Sequence, residues 1–340
     1  MITEKIGFAC KMSEMHPTKG VVSIPECNTG TTTISWLNRQ TKDVAEQKLW
    51  DLMVQNTESV YNLVQRVGAM NPHLRMVRIS SDVLPAYTHA IWKYFWQRAD
   101  VIAYCERAFD RIGDIARQND VRLSMHPGQF TVLASESAAI VENSIAEFEY
   151  HADMARMMGY GKTLQDFKIN VHISGKRGPA GIRAAYQRLS PEARNCITIE
   201  NEENAWGLDD CLSLTDLLPI VLDVHHHFIK TGEYISPEDS RVTQVIDSWR
   251  GIRPTMHYSL SREDVLVGHS PDVLPDMAQL LAAGYKKQKM RAHSDFYWNK
   301  PANEWVLGFL KTHDIMCESK SKNLGSTQLF EQSNIFANSR

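Results

Sequence analysis

The sequence of 340 residues predicts an α/β fold, a single-domain (β/α)8 barrel whose active site lies at the C-terminal ends of the strands. The first observation is an alternation of short apolar segments with stretches of helical spacing, which is typical of parallel strands joined by right-handed crossover helices. The second is that six of the apolar segments end in a histidine or a carboxylate. Barrel enzymes build their active sites at that end of the strands, so the two observations support each other.

Eight strands are predicted from short apolar runs. They cover residues 6–9, 76–79, 121–125, 167–171, 196–199, 219–222, 254–256 and 314–317. Helices are predicted between them from apolar residues three and four positions apart, over 43–69, 98–118, 136–158, 179–190, 208–216, 237–248, 271–284 and 302–312. Eight such units are the number that closes a barrel of this type.

Two segments fall outside this alternation. Residues 11–42 are rich in Thr, Asn, Gly and Ser and are predicted to form a long loop over the active site. Residues 321–340 are polar, with Ser, Asn and Gln, and are predicted to form a tail on the surface. We therefore assign residues 1–320 to one barrel domain and residues 321–340 to a polar C-terminal tail.

Composition bounds the class of protein and its compartment. Hydrophobic residues make up 43% of the chain and charged residues 23%, which is typical of a soluble globular protein. The formal net charge is -3, so any affinity for nucleic acid must come from a local basic face. Six cysteines without a C-x-x-C pair, and a start without an apolar signal segment, predict a cytoplasmic protein. No apolar run approaches the roughly 18 residues of a membrane span.

Residues able to bind a metal follow the predicted strands. The strand-end set is His126, His172, Glu200, Asp223, His257 and Glu318. His226 comes three residues after Asp223, while His89 and His293 lie in predicted loops. Histidine with carboxylate favours Zn²⁺ or Mn²⁺, and the absence of thiolate pairs argues against a structural zinc finger. Five further histidines, His16, His73, His151, His269 and His313, are predicted at the surface, and His225 and His227 are expected to form hydrogen bonds or face solvent.

A carboxylate such as Glu200 can bridge two ions about 3.5–4 Å apart. Two or three ions in a dry cleft suit in-line displacement at phosphorus, because one activates water and another holds the leaving oxygen. The same ions could serve the isomerisation of a sugar, which is the main chemical alternative.

A loop tip and several basic residues point to nucleic acid. Gln129 and Phe130 follow a Pro-Gly turn, and such a pair can wedge into a base stack. The alternative is that Phe130 packs under its own loop. The basic residues expected near the mouth of the barrel are Lys176, Arg177, Arg253, Arg262, Lys320 and Lys322. They could contact phosphates, although a solvated basic face explains any two of them equally well.

The joint order of eight motifs resembles the UV damage endonuclease family, relatives of endonuclease IV in the xylose-isomerase-like barrel group. The Ser-Met-His-Pro-Gly-Gln string is the most specific of them. The motifs are Arg78–Asp82 with His89, Leu123–Gln129, Val171–Gly175, Ile199–Asn201, Leu222–His226, Trp249–Gly251 with Met256–Ser259, His293–Asp295, and Cys317–Lys320. The resemblance implies a repair enzyme that cuts the phosphodiester bond immediately 5′ of a UV lesion and leaves a 3′-hydroxyl. The implied lesions are pyrimidine dimers and 6-4 photoproducts, with abasic sites as a further candidate.

The resemblance also implies roles for individual residues. The cofactor would be two or three Mn²⁺ ions, with Zn²⁺ or Mg²⁺ as alternatives. The first ion would be held by His126, His172 and Glu200, with His89 beside it. The second would be held by Glu200, Asp223, His257 and Glu318, which are also the predicted catalytic residues, and the third by His226 and His293. Gln129 and Phe130 would probe the DNA. Independently of the resemblance, Lys176, Arg177, Lys320 and Lys322 are expected to contact it because of their charge and predicted position.

The sequence departs from the family pattern at three places. Phe130 stands where the family usually has a tyrosine. The family's opening Gly-Tyr-Pro-Cys is Gly7–Cys10 with Phe-Ala at its centre, and the segment after it is longer than expected. Thr255 stands where the family has a lysine, described as carboxylated, two residues before the histidine of the seventh strand.

Two other functions remain open from the sequence. A metal-dependent sugar isomerase of the same barrel group would be expected to carry a lysine at a strand end, and none is predicted there. A non-catalytic protein that binds damaged DNA would not need several ions with open positions. The expected partner is damaged double-stranded DNA, with no membrane, no small-molecule cofactor and a monomeric state.

Overall fold

Eight parallel strands form a barrel in the computed structural model, which describes residues 4–337. The barrel strands are β1 (Ile6–Cys10), β4 (Met76–Ile79), β5 (Arg122–Met125), β6 (Lys168–His172), β7 (Ile197–Glu200), β8 (Ile220–Val221), β9 (Thr255–Tyr258) and β10 (Asp314–Cys317). Strands β2 (Ser13–His16) and β3 (Gly20–Ser23) form a separate antiparallel hairpin. The order around the sheet is β8-β7-β6-β5-β4-β1-β10-β9. A parallel bridge between Asp223 and His257 joins the two ends, so the sheet closes and the prediction of a (β/α)8 barrel is confirmed.

Helices follow most of the strands. They are α1 (Ile34–Leu37), α2 (Lys42–Gly68), α3 (Lys93–Trp96), α4 (Ala99–Gln118), α5 (Ala138–Met157), α6 (Gly178–Tyr186), α7 (Pro191–Cys196), α8 (Leu208–Leu212), α9 (Val224–Thr231), α10 (Ser240–Ser248), α11 (Met277–Ala282), α12 (Lys287–Met290), α13 (Lys300–Leu307) and α14 (Asn323–Ala337). None of the helices within residues 4–337 has the length and apolar character needed to cross a bilayer.

Apolar stripes hold the helices against the barrel. In α2 the residues at helical spacing, such as Leu49, Met53, Val60 and Val64, are almost fully buried. Burial of each such side chain stabilises the fold by about 1.5–3 kcal/mol, which is why the 3.6-residue pattern predicts this helix within a residue of its observed ends.

Two segments that the sequence places outside the alternation of strands and helices contain regular structure. Residues 321–340 were predicted as a polar tail, but 323–337 form helix α14, and Leu329 on that helix is buried in the core. The Asn323 side chain exchanges two hydrogen bonds with the backbone of Ser13, at 2.8 and 2.9 Å. The predicted loop 11–42 contains the hairpin β2–β3 and helix α1. Short polar elements of this kind lack the long apolar period that reveals a helix or strand.

The N-terminal end of the barrel is closed by charged residues. Asp314 accepts hydrogen bonds from Arg122 (2.6 Å), from Arg253 (2.7 Å) and from the Lys5 backbone N–H (2.8 Å). Arg253 therefore lies at the opposite end from the mouth where the sequence placed it. His151 and His313 are also buried rather than at the surface, and their rings pack against those of Tyr150 and Phe309, respectively.

Candidate metal centre

Glu200 stands at the centre of the candidate site. Its side chain is buried at the end of β7, where the register of the parallel pair places His172 of β6 beside it. The Oε2 atom lies 3.4 Å from Nε2 of His126 and 3.4 Å from Nε2 of His172. The Oε1 atom lies 3.0 Å from Nδ1 of His257. One carboxylate thus faces histidines on two sides.

Two groups of donor atoms share Glu200. The first consists of His126, His172 and Glu200, and the second of Glu200, Asp223 and His257. Within each group the ligand atoms lie within 4.8 Å of one another. The first group is the set expected for the first ion, and the second contains three of the four residues expected for the second ion. This arrangement can hold two divalent ions with a bridging carboxylate.

Asp223 provides an independent test of whether the site fits a cation. Its Oδ1 accepts the His226 backbone N–H at 2.7 Å, whereas Oδ2 is buried and has no hydrogen-bond partner among the described residues. Burial, together with the nearby charge of Glu200, raises the pKa of the Asp223 carboxyl well above its usual range. A divalent ion beside Oδ2 would both satisfy this oxygen and favour its ionised form. The residues present therefore fit a metal centre.

Glu200 and Glu318 are held in their ionised forms. Burial alone would favour the neutral acid, but His257 and His172 outweigh it and hold the pKa of Glu200 well below its usual range. For Glu318 the burial effect is outweighed chiefly by Arg78, whose guanidinium donates to the Glu318 carboxylate. Arg78 was not predicted as part of the site, although it opens one of the family motifs.

Backbone carbonyls orient three of the histidines. Nδ1 of His126 lies 2.8 Å from the Pro127 carbonyl, and Nδ1 of His226 lies 2.9 Å from the Asn201 carbonyl. Nδ1 of His293 lies 2.9 Å from the carbonyl of Glu318. We infer that Nδ1 donates in each case, which leaves Nε2 as the atom available to a metal.

Four predicted ligands lie outside the two donor groups. Glu318 and His226 are their neighbours, with Oε1 of Glu318 at 3.5 Å from Nδ1 of His257 and Nδ1 of His226 at 3.6 Å from Oε1 of Glu200. His293 contacts the Glu318 backbone, at the edge of the centre. His89 lines a separate cavity of about 620 Å³.

Lys168 is a second site residue that sequence reasoning missed. It is the first residue of β6 and is buried, with Nζ at 2.9 Å from Nε2 of His257. Burial lowers the pKa of Lys168 to about 7. Thr255, at the position of the family's lysine, is buried and its hydroxyl has no partner among the described residues.

The two-residue alternation of side chains along β6 could have revealed Lys168 from the sequence. Residues two apart on a strand point to the same side, so Lys168, Asn170 and His172 share the inner face of β6. Both Asn170 and His172 contact Glu200. Sequence reasoning considered only the strand end and not the inner layer beneath it.

The candidate DNA-binding residues lie around the mouth of the barrel. Phe130 is 84% exposed, so the alternative in which it packs under its loop is wrong. Gln129 beside it is exposed as well. Lys176, Arg177 and Lys320 are also exposed, and Nζ of Lys176 lies 3.0 Å from Glu136. Lys322 is half-buried, and burial lowers its pKa.

Fold and site together define a barrel protein with a candidate metal centre at its strand ends. The sequence model of a family described as "UV-endonuclease UvdE" matches residues 4–338. The chain therefore belongs to the UV-endonuclease UvdE family, and the resemblance found in its motifs is confirmed.

Named relatives and solved structures agree with this assignment. A UV-damage endonuclease of Schizosaccharomyces pombe is 29% identical over 280 residues, which are 78% of this chain and 42% of the relative. The chain thus spans less than half of that relative. A UV DNA damage endonuclease of Bacillus thuringiensis subsp. konkukian is 24% identical over 319 residues, covering 89% of this chain and 88% of the relative.

Two solved structures share the fold. The crystal structure of SacUVDE has a TM-score of 0.70 and 22% identity, and covers 98% of this chain and 99% of its own. Endonuclease IV from Thermus thermophilus has a TM-score of 0.53 and 13% identity, covering 83% of this chain and 95% of its own. At these identities the likeness concerns the barrel alone.

Proposed function

We propose that this protein is a DNA repair endonuclease that hydrolyses the phosphodiester bond immediately 5′ of UV lesions, with the help of two or three divalent ions. The lesions are pyrimidine dimers and 6-4 photoproducts, with abasic sites as a further candidate. The single observation that carries the proposal is the buried carboxylate of Glu200 shared by two donor groups at the mouth of the barrel. The relatives named UV endonucleases support the choice of substrate.

Mn²⁺ is the ion we propose, with Zn²⁺ or Mg²⁺ as alternatives that suit the same donors. When bound, such ions would stabilise the charge that develops at phosphorus and lower the pKa of the attacking water. Asp223, with its unpartnered oxygen, and Glu200, with one oxygen for each group, would supply the negative charge that holds them.

The chain's own residues keep this centre in place. Lys168 contacts one nitrogen of His257 while Glu200 faces the other, so the ring is held from both sides. Arg78 fixes the Glu318 carboxylate close to the same ring. A centre whose ligands are held in this way loses little free energy to reorganisation during the reaction.

Recognition of damage is assigned to Gln129 and Phe130. An exposed aromatic ring at a loop tip can stack on a base, which contributes about 1–3 kcal/mol per base. A damaged step costs less to open and bend than an intact one, so an inserted ring selects lesions without reading base edges.

The isomerase alternative is not favoured by the position of Lys168. This lysine is buried beneath His257 at the N-terminal start of β6 and does not face the open mouth, where a sugar would have to bind.

The proposal is tested by a denaturing-gel incision assay with wild-type protein and the Glu200→Gln variant. The substrate is an end-labelled duplex with one pyrimidine dimer, beside its undamaged twin, with Mn²⁺ or EDTA. We expect a metal-dependent cut immediately 5′ of the dimer by the wild type, and no cut by Glu200→Gln although the variant still binds the damaged duplex. Cutting by Glu200→Gln at the wild-type rate would show that the shared carboxylate is not needed. The absence of any cut by the wild type on dimer, 6-4 or abasic DNA would reject the function.

A further inference from the structure

The segment between α11 and the His293 loop is strongly basic. Residues 277–294 contain Lys286, Lys287, Lys289 and Arg291 and no acidic residue, in a chain whose net charge is -3. The side chains of Lys286, Lys289 and Arg291 are exposed, and Lys287 is half-buried. Sequence reasoning did not connect this segment with DNA, because it lies within the long stretch between β9 and β10 rather than at a strand end.

Lys230 of α9 adds to the same surface. Nζ of Lys287 donates to the Lys230 carbonyl at 2.8 Å, and Nζ of Lys230 donates to the Asn204 carbonyl at 2.7 Å. Carbonyl acceptors hold an ammonium group in place but do not cancel its charge. We call the five residues the basic rim: Lys230, Lys286, Lys287, Lys289 and Arg291. Within the described side chains, Arg291 is the member of this set that forms an ion pair, with Glu203.

The basic rim is continuous with the candidate metal centre. Glu203, the partner of Arg291, has its Oε2 at 3.6 Å from Nε2 of His226. The Met290 carbonyl, inside the basic segment, lies 3.2 Å from Nε2 of His225. The rim therefore begins beside the metal ligands and extends outward from them.

The order of strands places the rim across the mouth from Phe130. Phe130 follows β5, whereas the rim belongs to the segments that follow β8 and β9. In the ring β8-β7-β6-β5-β4-β1-β10-β9, strand β5 lies four positions from β9 in either direction. A duplex that crosses the metal centre thus meets the aromatic loop on one side and the basic rim on the other.

We propose that the basic rim binds phosphates of the duplex flank that lies on the side of the metal centre away from Phe130. This inference rests on the proposed function, to which it adds a second DNA-binding surface. Ammonium groups bind phosphates without reading base identity, so the rim would set affinity and position rather than lesion choice. Duplex DNA fits better than another acidic partner because the rim is joined to the metal centre that would cut it.

The test compares two double variants with equal changes of charge. Lys286→Glu with Lys289→Glu changes the rim. Lys162→Glu with Lys311→Glu changes exposed lysines just before β6 and β10, at the opposite end of the barrel. The probe is an undamaged fluorescent duplex in the presence of Mn²⁺, and its affinity is measured by anisotropy over a series of salt concentrations.

We expect the rim variant to bind about tenfold more weakly or worse and to lose roughly two units of the slope of log affinity against log salt, since each phosphate contact contributes about 0.9. The control should keep the wild-type affinity and slope. Lys286→Gln with Lys289→Gln should show a smaller loss in the same direction, and it replaces the first variant if that one unfolds. Wild-type affinity and slope in both rim variants would overturn the inference.

Cutting of dimer DNA at saturating protein separates this inference from the proposed function. If the wild type cuts while the rim variants bind as the wild type does, the rim inference fails and the endonuclease stands. If the wild type never cuts while the rim variants lose binding, the endonuclease fails and the rim stands.

Discussion

The two ends of the barrel each contain a buried aspartate, Asp314 at the N-terminal end and Asp223 at the mouth, and the two differ in their hydrogen-bond partners. At the N-terminal end both oxygens of Asp314 are occupied by Arg122, Arg253 and the Lys5 backbone. At the mouth, Oδ2 of Asp223 has no hydrogen-bond partner among the described residues, and Nδ1 of His226 lies 3.7 Å away. The same fold thus satisfies one buried carboxylate with its own cations and leaves one oxygen of the other without a hydrogen bond, where a metal ion would fit. A buried polar atom without a hydrogen bond needs an explanation, and for Asp223 the explanation that we propose is a bound cation.

The largest effect is expected for Asp223→Asn. Loss of this negative charge should lower the affinity for Mn²⁺ and reduce cutting by about a hundredfold or more. The unfolding free energy should change little, because Oδ2 has no hydrogen bond to lose and its contact with Nδ1 of His226 is as long as 3.7 Å. Isothermal titration with Mn²⁺, single-turnover cutting and urea unfolding of the metal-free protein would measure the three quantities. A large loss of stability would show that Asp223 is structural, like Asp314.

The opposite result is expected for Asp314→Asn. Removal of one partner from a buried ion pair costs about 3 kcal/mol of unfolding free energy, because Arg122 and Arg253 would keep uncompensated charges. Folded Asp314→Asn should bind Mn²⁺ as the wild type does. Asp100→Asn is the control, since Asp100 pairs with Arg98 on the surface and its loss should not be detectable in urea unfolding. Equal stabilities of both variants would remove the distinction between the two ends.

Lys168→Met tests a residue between these two regions. The His257 ring would lose one of its two partners, so we expect Mn²⁺ affinity or the cutting rate to fall by about 10–100-fold. Lys168→Gln keeps a hydrogen-bonding group and should lose less. If Lys168→Met binds and cuts as the wild type does, Lys168 only fills space beneath the site.

A smaller and more selective effect is expected at the loop that carries Gln129 and Phe130. Gln129→Ala combined with Phe130→Ala should reduce the preference for damaged over intact duplex by roughly tenfold, because stacking of the exposed ring is lost. Cutting at saturating protein should fall less. Competition binding with the two duplexes would measure the preference, and equal losses on both would argue against a probing role.

The strand-end residues could be predicted from the sequence because the C-terminal ends of all eight strands of a (β/α)8 barrel meet at one face. His126, His172 and Glu200 are far apart in the chain, yet each ends an apolar run, and parallel strands bring such ends together. The number of units likewise predicted closure of the barrel.

The remaining features depend on distances that no pattern encodes. Lys168 and His257 meet across the inside of the barrel from different strands, and 89 residues separate them in the sequence. Helix α14 was missed because several of its polar side chains bond to distant parts of the chain: Asn323 to Ser13, Gln328 to Tyr297 and Gln332 to Asn303. Whether a carboxylate is satisfied, as in Asp314, or left open, as in Asp223, also depends on three-dimensional packing.

The most direct test of this account is the number of metal ions bound per chain. Mn²⁺-loaded wild type and Glu200→Gln would be freed of excess ion and analysed by inductively coupled plasma mass spectrometry. We expect two or three ions per chain in the wild type and at least one fewer in Glu200→Gln, because one carboxylate serves both donor groups. Fewer than two ions in the wild type, or the same number in both proteins, would contradict a shared carboxylate at the mouth of the barrel.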